Sequence, residues 1–169
     1  MTSIRLRAAS FTDLQSMIDI EIAAARLFPT AVLPEDVGRS GSPEEIRTGM
    51  QANLAWVAEA EQDGVVGFLV GETVGNSMHI VEMDVLPSHG KQGIGGLLLE
   101  HAVAYSKTMG FREVTLTTFL NIPWNAPFYA RHGFKVVGDS NHYPHLAQAL
   151  KREAARGLTD RVAMHRNAA

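Results

Sequence analysis

Apolar and polar positions follow two periods along the chain, which together predict an alternation of strands and helices. Alternating or β-branched runs predict seven strands, and apolar residues at helical spacing predict five helices. The predicted strands cover residues 4–7, 55–59, 65–72, 78–86, 113–119, 134–137 and 161–165. The predicted helices cover residues 14–25, 43–53, 94–109, 126–132 and 146–156. This order predicts an α/β (α+β) fold, a mixed central sheet of about seven strands flanked by helices, in a single domain of residues 1–169.

The connections between these elements predict how the strands pair. Gln62-Asp63-Gly64 and Gly75-Asn76 are turn sequences that favour antiparallel hairpins early in the chain. A helix connects the strand at 78–86 with the strand at 113–119, so these two strands are predicted to be parallel neighbours. The sheet is therefore expected to be antiparallel early and parallel at its centre.

Three helices carry local start signals. Thr12 is the predicted N-cap of the first helix, and Asn125 is the predicted N-cap of the short helix near residue 130. Ser42, Pro43 and Glu45 form the pattern of a capping box with proline at the first helical position. The capping box at Ser42 predicts that the second helix begins there and continues to about Asn53.

The strand at 78–86 runs into a glycine-rich turn and then an amphipathic helix, and the rest of the chain is interpreted around this arrangement. The turn contains Gly90, Gly93, Gly95 and Gly96. Glycines let backbone N–H groups approach a bound group without a Cβ in the way, and the N-terminus of the helix adds partial positive charge. A phosphate or diphosphate is the expected ligand, and a tight loop that binds nothing is the alternative interpretation.

Composition narrows the possible functions. The chain has 169 residues, 46% of them hydrophobic, and a net charge of −3 without a long block of one sign, so nucleic acid is not an expected partner. The absence of cysteine excludes disulfides, a thiolate nucleophile and thiolate metal sites. The seven histidines lack the spacing of known metal motifs, so no metal is expected. No leader-like segment and no apolar run of membrane length is present, so we expect a cytoplasmic protein.

Two motifs in the second half of the chain suggest a family. The first is the strand end Val85-Leu86-Pro87 with the loop Gly90-Lys91-Gln92-Gly93-Ile94-Gly95-Gly96, and the second is Phe128-Tyr129-Ala130-Arg131-His132-Gly133-Phe134. With the order of elements, they resemble the GNAT superfamily of acetyl-CoA-dependent N-acetyltransferases. The loop pattern of that family is Arg or Gln, two residues, Gly, any residue, then Gly or Ala. Gly93 and Gly95 match it, whereas Gly90 stands at the first position, which removes a side-chain contact but keeps the backbone N–H groups.

The resemblance implies a coenzyme A site. The diphosphate would lie on N–H groups of the loop, and the pantetheine arm would pair with the backbone of Met83 and Val85, in a cleft where the parallel strands splay apart. An N–H of Val85 or Leu86 would stabilise the oxyanion of the thioester. Asn125 would contact the pantetheine or only cap its helix, and Asn121 is a second candidate of this kind. The loop residues implied are Lys91, Gln92, Gly93, Ile94, Gly95 and Gly96.

The resemblance and the strand pattern together suggest the groups that move protons. By similarity Tyr129 is the candidate general acid, with its hydroxyl near the sulfur, and packing among neighbouring phenylalanines is the alternative interpretation. Glu82 and Asp84 are predicted to share one face of the central strand, and Glu82 is the candidate general base. A solvated or salt-bridged pair is the alternative there. Glu21 is a weaker candidate for the base or for amine binding, because an exposed helix face is the more common interpretation.

Two segments are predicted to border the acceptor amine. Residues 27–42 form a loop of sixteen residues, for which a lid or substrate wall and simple disorder are equally good interpretations. Residues 142–145 are the other segment, with a plain surface loop as the alternative. The identity of the amine stays open, and so does a homodimer, which is common in the family.

The resulting prediction is an enzyme that moves an acetyl group from acetyl-CoA directly to a primary amine of a small molecule or peptide. A non-catalytic acyl-CoA sensor or interaction module that keeps the loop is the alternative. A dinucleotide-binding oxidoreductase is disfavoured because Leu98 stands where the third glycine of GxGxxG belongs. An NTPase is disfavoured because the loop is not followed by Gly-Lys-Ser/Thr.

Overall fold

A computed structural model describes residues 3–34, 36–37 and 41–169, and it has the predicted order of strands and helices. The strands are β1 (Ile4–Ala8), β2 (Ala55–Ala60), β3 (Gly64–Val74), β4 (Ser77–Val85), β5 (Glu113–Phe119), β6 (Lys135–Val136) and β7 (Arg161–Asn167). The helices are α1 (Leu14–Ala25), α2 (Pro43–Gln51), α3 (Ile94–Thr108), α4 (Ala126–Arg131) and α5 (Pro144–Ala155). The predicted elements are all present, although their ends differ from the predicted ones by up to a few residues. Within the described part of the chain, no helix is both long enough and apolar enough to cross a bilayer.

The strands form one mixed sheet in the order β1-β2-β3-β4-β5-β7-β6. Strand β2 pairs antiparallel with β1 and β3, and β7 pairs antiparallel with β5 and β6. Strands β4 and β5 pair in parallel, through residues 77–79 and 113–115. The predicted mixed sheet, antiparallel early and parallel at its centre, is therefore confirmed.

The chain divides into two compact units. The first contains the chain up to Glu72 together with Val81–Ala102, and the second contains Thr73–Ile80 and Val103–Ala169. Strand β4 and helix α3 each continue from one unit into the other. The assignment of residues 1–169 to a single domain stays a prediction.

The core of the first unit forms where α1 and α2 pack on β2 and β3. Its buried side chains are Met17, Ile20, Ile46, Met50, Ala55, Val57, Phe68 and Val70. Helix α2 lies very close to β3, because a Cβ at Gly49 would overlap Val70 Cγ1. Burial of this apolar surface is the main force that holds the two helices on the strands. It thereby fixes the backbone around Glu21 on α1 and Ser42 at the start of α2.

Two of the predicted helix starts differ in detail from the structure. The prediction that Thr12 is the N-cap of α1 is wrong. Asp13 lies at the N-cap of α1, and the 3-10 turn (Phe11–Asp13) that precedes α1 has Ser10 at its own N-cap. Ser42 does lie at the N-cap of α2, with proline at the first helical position. Its hydroxyl, however, donates to Glu21 Oε1 at 2.6 Å rather than to the helix backbone. The capping box was thus predicted at the correct place with the wrong hydrogen-bond partner.

The loop predicted over residues 27–42 contains turns that begin at Pro29 and Pro34. Part of this predicted loop lies outside the described residues, namely Glu35, Gly38, Arg39 and Ser40. The loop ends at Ser42, whose position on α1 is described below. A lid or substrate wall at these residues stays a prediction.

In the second unit, Glu113 on β5 is the centre of a polar network. One of its oxygens accepts a hydrogen bond from the Ser77 hydroxyl on β4, at 3.2 Å. The other lies 3.2 Å from both the Tyr143 hydroxyl, which donates to it, and His165 Nδ1 on β7. These contacts join the residue before α5 to three strands of the sheet.

A second polar group lies beside this network. His79 on β4 is 9% exposed, and its Nδ1 is 2.9 Å from Thr115 Oγ1 on β5. Its ring meets that of His145 on α5 edge to face, with 5.8 Å between centroids. Burial and, after it, the charge of His145 lower the pKa of His79 to about 4. His79 is therefore neutral at pH 7.

Candidate active site

The glycine-rich loop connects the end of β4 to the first turn of α3. A 3-10 turn (Pro87–His89) follows β4, and Gly93 adopts a left-handed φ of 81° just before α3. A Cβ at Gly93 would meet no heavy atom within 4 Å beyond its chain neighbours, so the space over the loop is open there. The Leu97 N–H donates to the Gly93 carbonyl at 3.1 Å. The N–H groups of residues 94–96 come before this bond and have no carbonyl partner within the helix, so they can bind an anion.

In this loop Lys91 has a backbone conformation that glycine usually adopts, whereas Gly90 has one that any residue adopts. Lys91 has a φ of 60°, in the left-handed region, which costs a residue with a Cβ about 1 kcal/mol. Gly90 has a φ of −63° and a ψ of 155°, which any residue adopts. A Cβ at Gly90 would lie 3.3 Å from the Pro87 carbonyl oxygen, so close packing rather than φ favours glycine. The loop therefore carries an exposed, strained lysine beside its open space.

The second half of β4 is only half-buried, although β4 is an interior strand of the sheet. Residues 77–80 are buried, whereas residues 81–85 are partly exposed. At the end of the strand, the Leu86 N–H donates to the Val66 carbonyl on β3 at 2.8 Å. Neighbouring residues of a strand direct their N–H groups to opposite edges, so the Val85 N–H points away from β3. Of the two N–H groups that the sequence suggested for the thioester oxygen, Leu86 is engaged elsewhere and Val85 remains.

Glu82 and Asp84 lie on this half of β4, and their carboxyl groups are joined by a hydrogen bond. They therefore meet on one side of the strand, as predicted. Burial raises the pKa of Asp84 well above its usual range, and the charge of Glu82, the hydrogen bond between them and the charge of Glu21 raise it further. A hydrogen bond between two carboxyl groups needs one proton. The raised pKa of Asp84 favours a pair that shares one proton at neutral pH.

Glu21 on α1 is buried, with 7% of its surface exposed, so the exposed helix face that the sequence favoured for it is wrong. Its Oε2 accepts the Ser42 N–H at 2.7 Å, and its Oε1 accepts the Ser42 hydroxyl at 2.6 Å. Burial raises the pKa of Glu21, the two hydrogen bonds from Ser42 oppose this, and the charge of Glu45 adds to it. Gly41, with a φ of 67°, allows the close approach, because a Cβ there would lie 2.9 Å from Ile18 Cγ2.

Tyr129 and Asn125 belong to α4 in the second unit. Tyr129 is 9% exposed, and its ring packs against Phe128 and Phe134, with 5.2 and 5.8 Å between ring centroids. This is the packing that the sequence offered as the alternative to catalysis, and the role of general acid stays a prediction. Asn125 lies at the N-cap of α4 as predicted, and its Oδ1 accepts the Phe119 N–H at 3.4 Å. Asn125 thus joins the end of β5 to the start of α4.

The remaining candidates are distributed over the second unit. Residues 142–145 are not a plain surface loop, because Tyr143 and His145 both contact side chains of β5. His142 is exposed, and so is Asn121 after β5. Among the residues that the structure describes, no three histidine or acidic side chains are grouped closely enough to hold a metal ion.

The candidate residues are thus described in two groups. The first unit contains the glycine loop, the half-exposed end of β4 and the three carboxyl groups of Glu21, Glu82 and Asp84. The second unit contains Tyr129 and Asn125. Sequence reasoning did not find Ser42 as the partner of Glu21, because the two lie 21 residues apart and Ser42 carries a complete local signal for another role.

Comparison with known families identifies the family of this chain. A family model described as an acetyltransferase (GNAT) domain matches residues 51–136, just over half of the chain. The chain belongs to the GNAT acetyltransferase family. The matched part includes β4, the glycine loop, α3, β5 and Tyr129, so the resemblance seen in the two sequence motifs is confirmed.

Solved GNAT structures share the fold at low sequence identity. PaiA N-acetyltransferase from Thermoplasma acidophilum, in complex with coenzyme A, is 21% identical, covers 98% of this chain and 99% of its own, and has a TM-score of 0.75. The ribosomal-protein-S18-alanine N-acetyltransferase from Escherichia coli is 19% identical, with 99% and 95% covered and a TM-score of 0.72. A GNAT family acetyltransferase from Brucella melitensis, in complex with acetyl-CoA, is 21% identical, with 80% and 84% covered and a TM-score of 0.61. The predicted GNAT fold is therefore confirmed.

Proposed function

We propose that this GNAT protein transfers the acetyl group of acetyl-CoA directly to a primary amine on a small molecule or peptide. The observation that carries the proposal is the glycine loop, whose N–H groups at residues 94–96 have no helical partner and face open space at Gly93. Family membership supports an acyl-CoA as the ligand of this loop. Two similar structures contain coenzyme A or acetyl-CoA, which supports the same choice.

The loop suits a diphosphate by charge as well as by shape. Residues 91–96 offer backbone N–H groups at the positive end of the α3 dipole. The family's Arg or Gln side chain is missing at Gly90, and the exposed Lys91 ammonium next to it supplies positive charge instead. We therefore assign the diphosphate to the backbone of Lys91, Gln92, Gly93, Ile94, Gly95 and Gly96.

Acetyl-CoA supplies the acetyl group as a thioester, and the end of β4 is the part of this chain suited to holding it. The Val85 N–H, which points away from β3, is our candidate donor to the thioester oxygen, where negative charge develops during attack. Met83 and Val85 are partly exposed, which supports pairing of their backbone with the amides of the pantetheine arm.

The carboxyl pair and Tyr129 are the proposed proton carriers. Attack by the neutral amine nitrogen forms a C–N bond and breaks the C–S bond of the thioester. When a cationic acceptor becomes the neutral amine, its ammonium proton goes to Glu82, beside Asp84, whose raised pKa favours the protonated form. The sulfur takes up a proton from the Tyr129 hydroxyl, and the nitrogen gives its second proton to the tyrosine oxygen that is left. Because the chain has no cysteine, the acetyl group does not pass through a cysteine thioester.

The acceptor is proposed only as a class. The similar Escherichia coli enzyme is named for an alanine of a ribosomal protein, and another similar structure is described as a putative phosphinothricin N-acetyltransferase, so proteins with different named acceptors share the fold. In this chain, the negative charges of Glu82 and Glu21 favour an acceptor that arrives as a cation.

Two measurements test the proposed function. Calorimetry should detect binding of acetyl-CoA, and consumption of acetyl-CoA should be seen with at least one member of a panel of amino acids, polyamines and peptides with free N-termini. The Glu82→Gln variant should bind acetyl-CoA like the wild type and lose most of the turnover. Binding without turnover on every amine would favour the sensor instead, and no binding at all would overturn the proposal.

A further inference from the structure

We propose that Glu21 is a positioning residue for acetyl transfer, whose buried carboxylate clamps Ser42, and with it the start of α2, onto α1. The inference rests on the proposed function, because it concerns the same site. It differs from the roles that the sequence suggested for Glu21, which were an alternative base or a direct contact to the amine.

The clamp is built from two short hydrogen bonds. Glu21 accepts the Ser42 N–H at 2.7 Å and the Ser42 hydroxyl at 2.6 Å, one on each carboxylate oxygen. Hydrogen bonds to a buried carboxylate are among the stronger ones in proteins. Since both oxygens are engaged by Ser42, Glu21 is poorly placed to take a proton from an amine. Its contacts instead fix the residue at which the loop of residues 27–42 ends and α2 begins.

The charge of Glu21 acts on the carboxyl pair of β4. The charged groups that act on Asp84 are Glu82 on the same strand and Glu21 on α1, and Glu45 on α2 acts on Glu21 in turn. A negative charge nearby favours the protonated form of a carboxyl group. The charge of Glu21 therefore favours the protonated form of Asp84.

Three variants separate the clamp from the charge. Glu21→Gln removes the charge and also breaks the clamp, because its NH₂ group faces one of the two donors. Ser42→Ala keeps the charge and the backbone hydrogen bond and removes only the hydroxyl. Asp19→Asn removes the same charge from an exposed position on the same helix and serves as the control.

The expected results differ for each variant. Glu21→Gln should raise the KM for the amine about tenfold, because the clamp loses a hydrogen bond to a charged group and holds the end of the 27–42 loop less firmly, and it should leave the KM for acetyl-CoA unchanged. It should also move the acidic limb of the kcat/KM profile to lower pH, because removal of a negative charge lowers the pKa of the pair. Ser42→Ala should raise the amine KM by a smaller factor without moving the limb. Asp19→Asn should change neither.

A carboxyl titration provides a readout that does not depend on turnover. The ¹³C carboxyl resonance of Asp84, assigned by its loss in Asp84→Asn, should titrate at lower pH in Glu21→Gln than in the wild type. If the amine KM, the acidic limb and this titration all stay at wild-type values in Glu21→Gln, the proposal is wrong. If Glu21→Gln does not fold, an unchanged amine KM in Ser42→Ala overturns the clamp. If the wild type acetylates no amine, the proposed function fails, whereas the titration still decides whether Glu21 acts on Asp84.

Discussion

The carboxyl groups of Glu82 and Asp84 share a hydrogen bond on β4, so the folded protein holds a proton there that the unfolded chain gives up. The cause is first the burial of Asp84 and then the charge of Glu82 beside it. A carboxyl group whose pKa is raised by folding reduces stability at neutral pH, because the folded state resists the ionisation that the unfolded state allows.

Asp84→Asn should therefore make the protein more stable at pH 7. The wild type binds more protons when folded, so its stability falls as pH rises above the ordinary Asp84 pKa of 3.8, by up to about 1.4 kcal/mol per pH unit until the folded pKa is reached. Asparagine keeps a hydrogen-bond donor for Glu82 and does not ionise. Urea unfolding between pH 4 and 8 measures the difference, which should vanish toward pH 4. Asp19→Asn is the exposed control, and an Asp84→Asn protein that is less stable at pH 7 would contradict the raised pKa of Asp84.

Gly93→Ala should weaken acetyl-CoA binding by at least about tenfold, measured by calorimetry. Gly93 and Gly75 both have left-handed backbones, with φ of 81° and 57°, and open space where a Cβ would lie. Alanine at either position should lower the free energy of unfolding by about 1 kcal/mol. Only Gly93 belongs to the proposed diphosphate site, so Gly75→Ala is a control with matched strain. Equal affinity of Gly93→Ala and Gly75→Ala for acetyl-CoA would contradict a diphosphate site in this loop.

Tyr129→Phe should lower kcat by a factor of about 100 or more with little change in stability. The phenylalanine ring preserves the packing against Phe128 and Phe134, and the variant loses only the hydroxyl proposed to protonate the sulfur. Tyr143→Phe removes a hydroxyl that donates to Glu113 and is not proposed to protonate the sulfur, so it is the control for kcat at saturating amine. Steady-state kinetics with a saturating amine compare the two. Wild-type kcat in Tyr129→Phe would reduce Tyr129 to a packing residue.

Stability should fall when the pH is lowered from 6.5 toward 4, in part because of His79. Its pKa is lowered from 6.5 to about 4 by burial, so the unfolded state binds more protons in this window and stability rises with pH across it. The contribution is roughly 3 kcal/mol over the whole window. His79→Asn keeps an amide near Thr115 and should flatten the pH dependence of urea unfolding. His142→Gln, at an exposed position, should not, and an unchanged slope in His79→Asn would contradict the buried neutral state.

Hydrophobic periodicity and turn residues were enough to predict the order of the elements. Strand β5 was predicted with its observed ends, Glu113–Phe119, because β-branched residues and a preceding glycine define it locally. Helix α5 was predicted to start later than it does, at residue 146, although it begins at Pro144. The polar contacts of Tyr143 and His145 with β5 hold this first turn, and no local pattern shows such contacts.

The backbone part of the site was predictable and its long-range contacts were not. The glycine loop and the pairing of Glu82 with Asp84 follow from residues close together in sequence. The hydrogen bonds from Ser42 to Glu21 and from Leu86 to Val66 join residues about twenty apart, and each competes with a local role that the sequence also allows. Which partner Ser42 and Leu86 bond depends on the packing of α1 on α2 and of β3 on β4, which a local sequence pattern does not show.

Gly49 has no room for a Cβ beside Val70, so α2 rests on β3 with its backbone almost in contact. Ser42, at the other end of the same helix, is fastened to Glu21. A larger residue at position 49 would tilt α2 and strain the hydrogen bonds between Ser42 and Glu21. Positions 49 and 42 are seven residues apart, which is about ten Å along a helix. Directed evolution toward new amines should therefore include this buried position, because a change there is expected to act on the proposed site without replacing any residue proposed to meet the substrate.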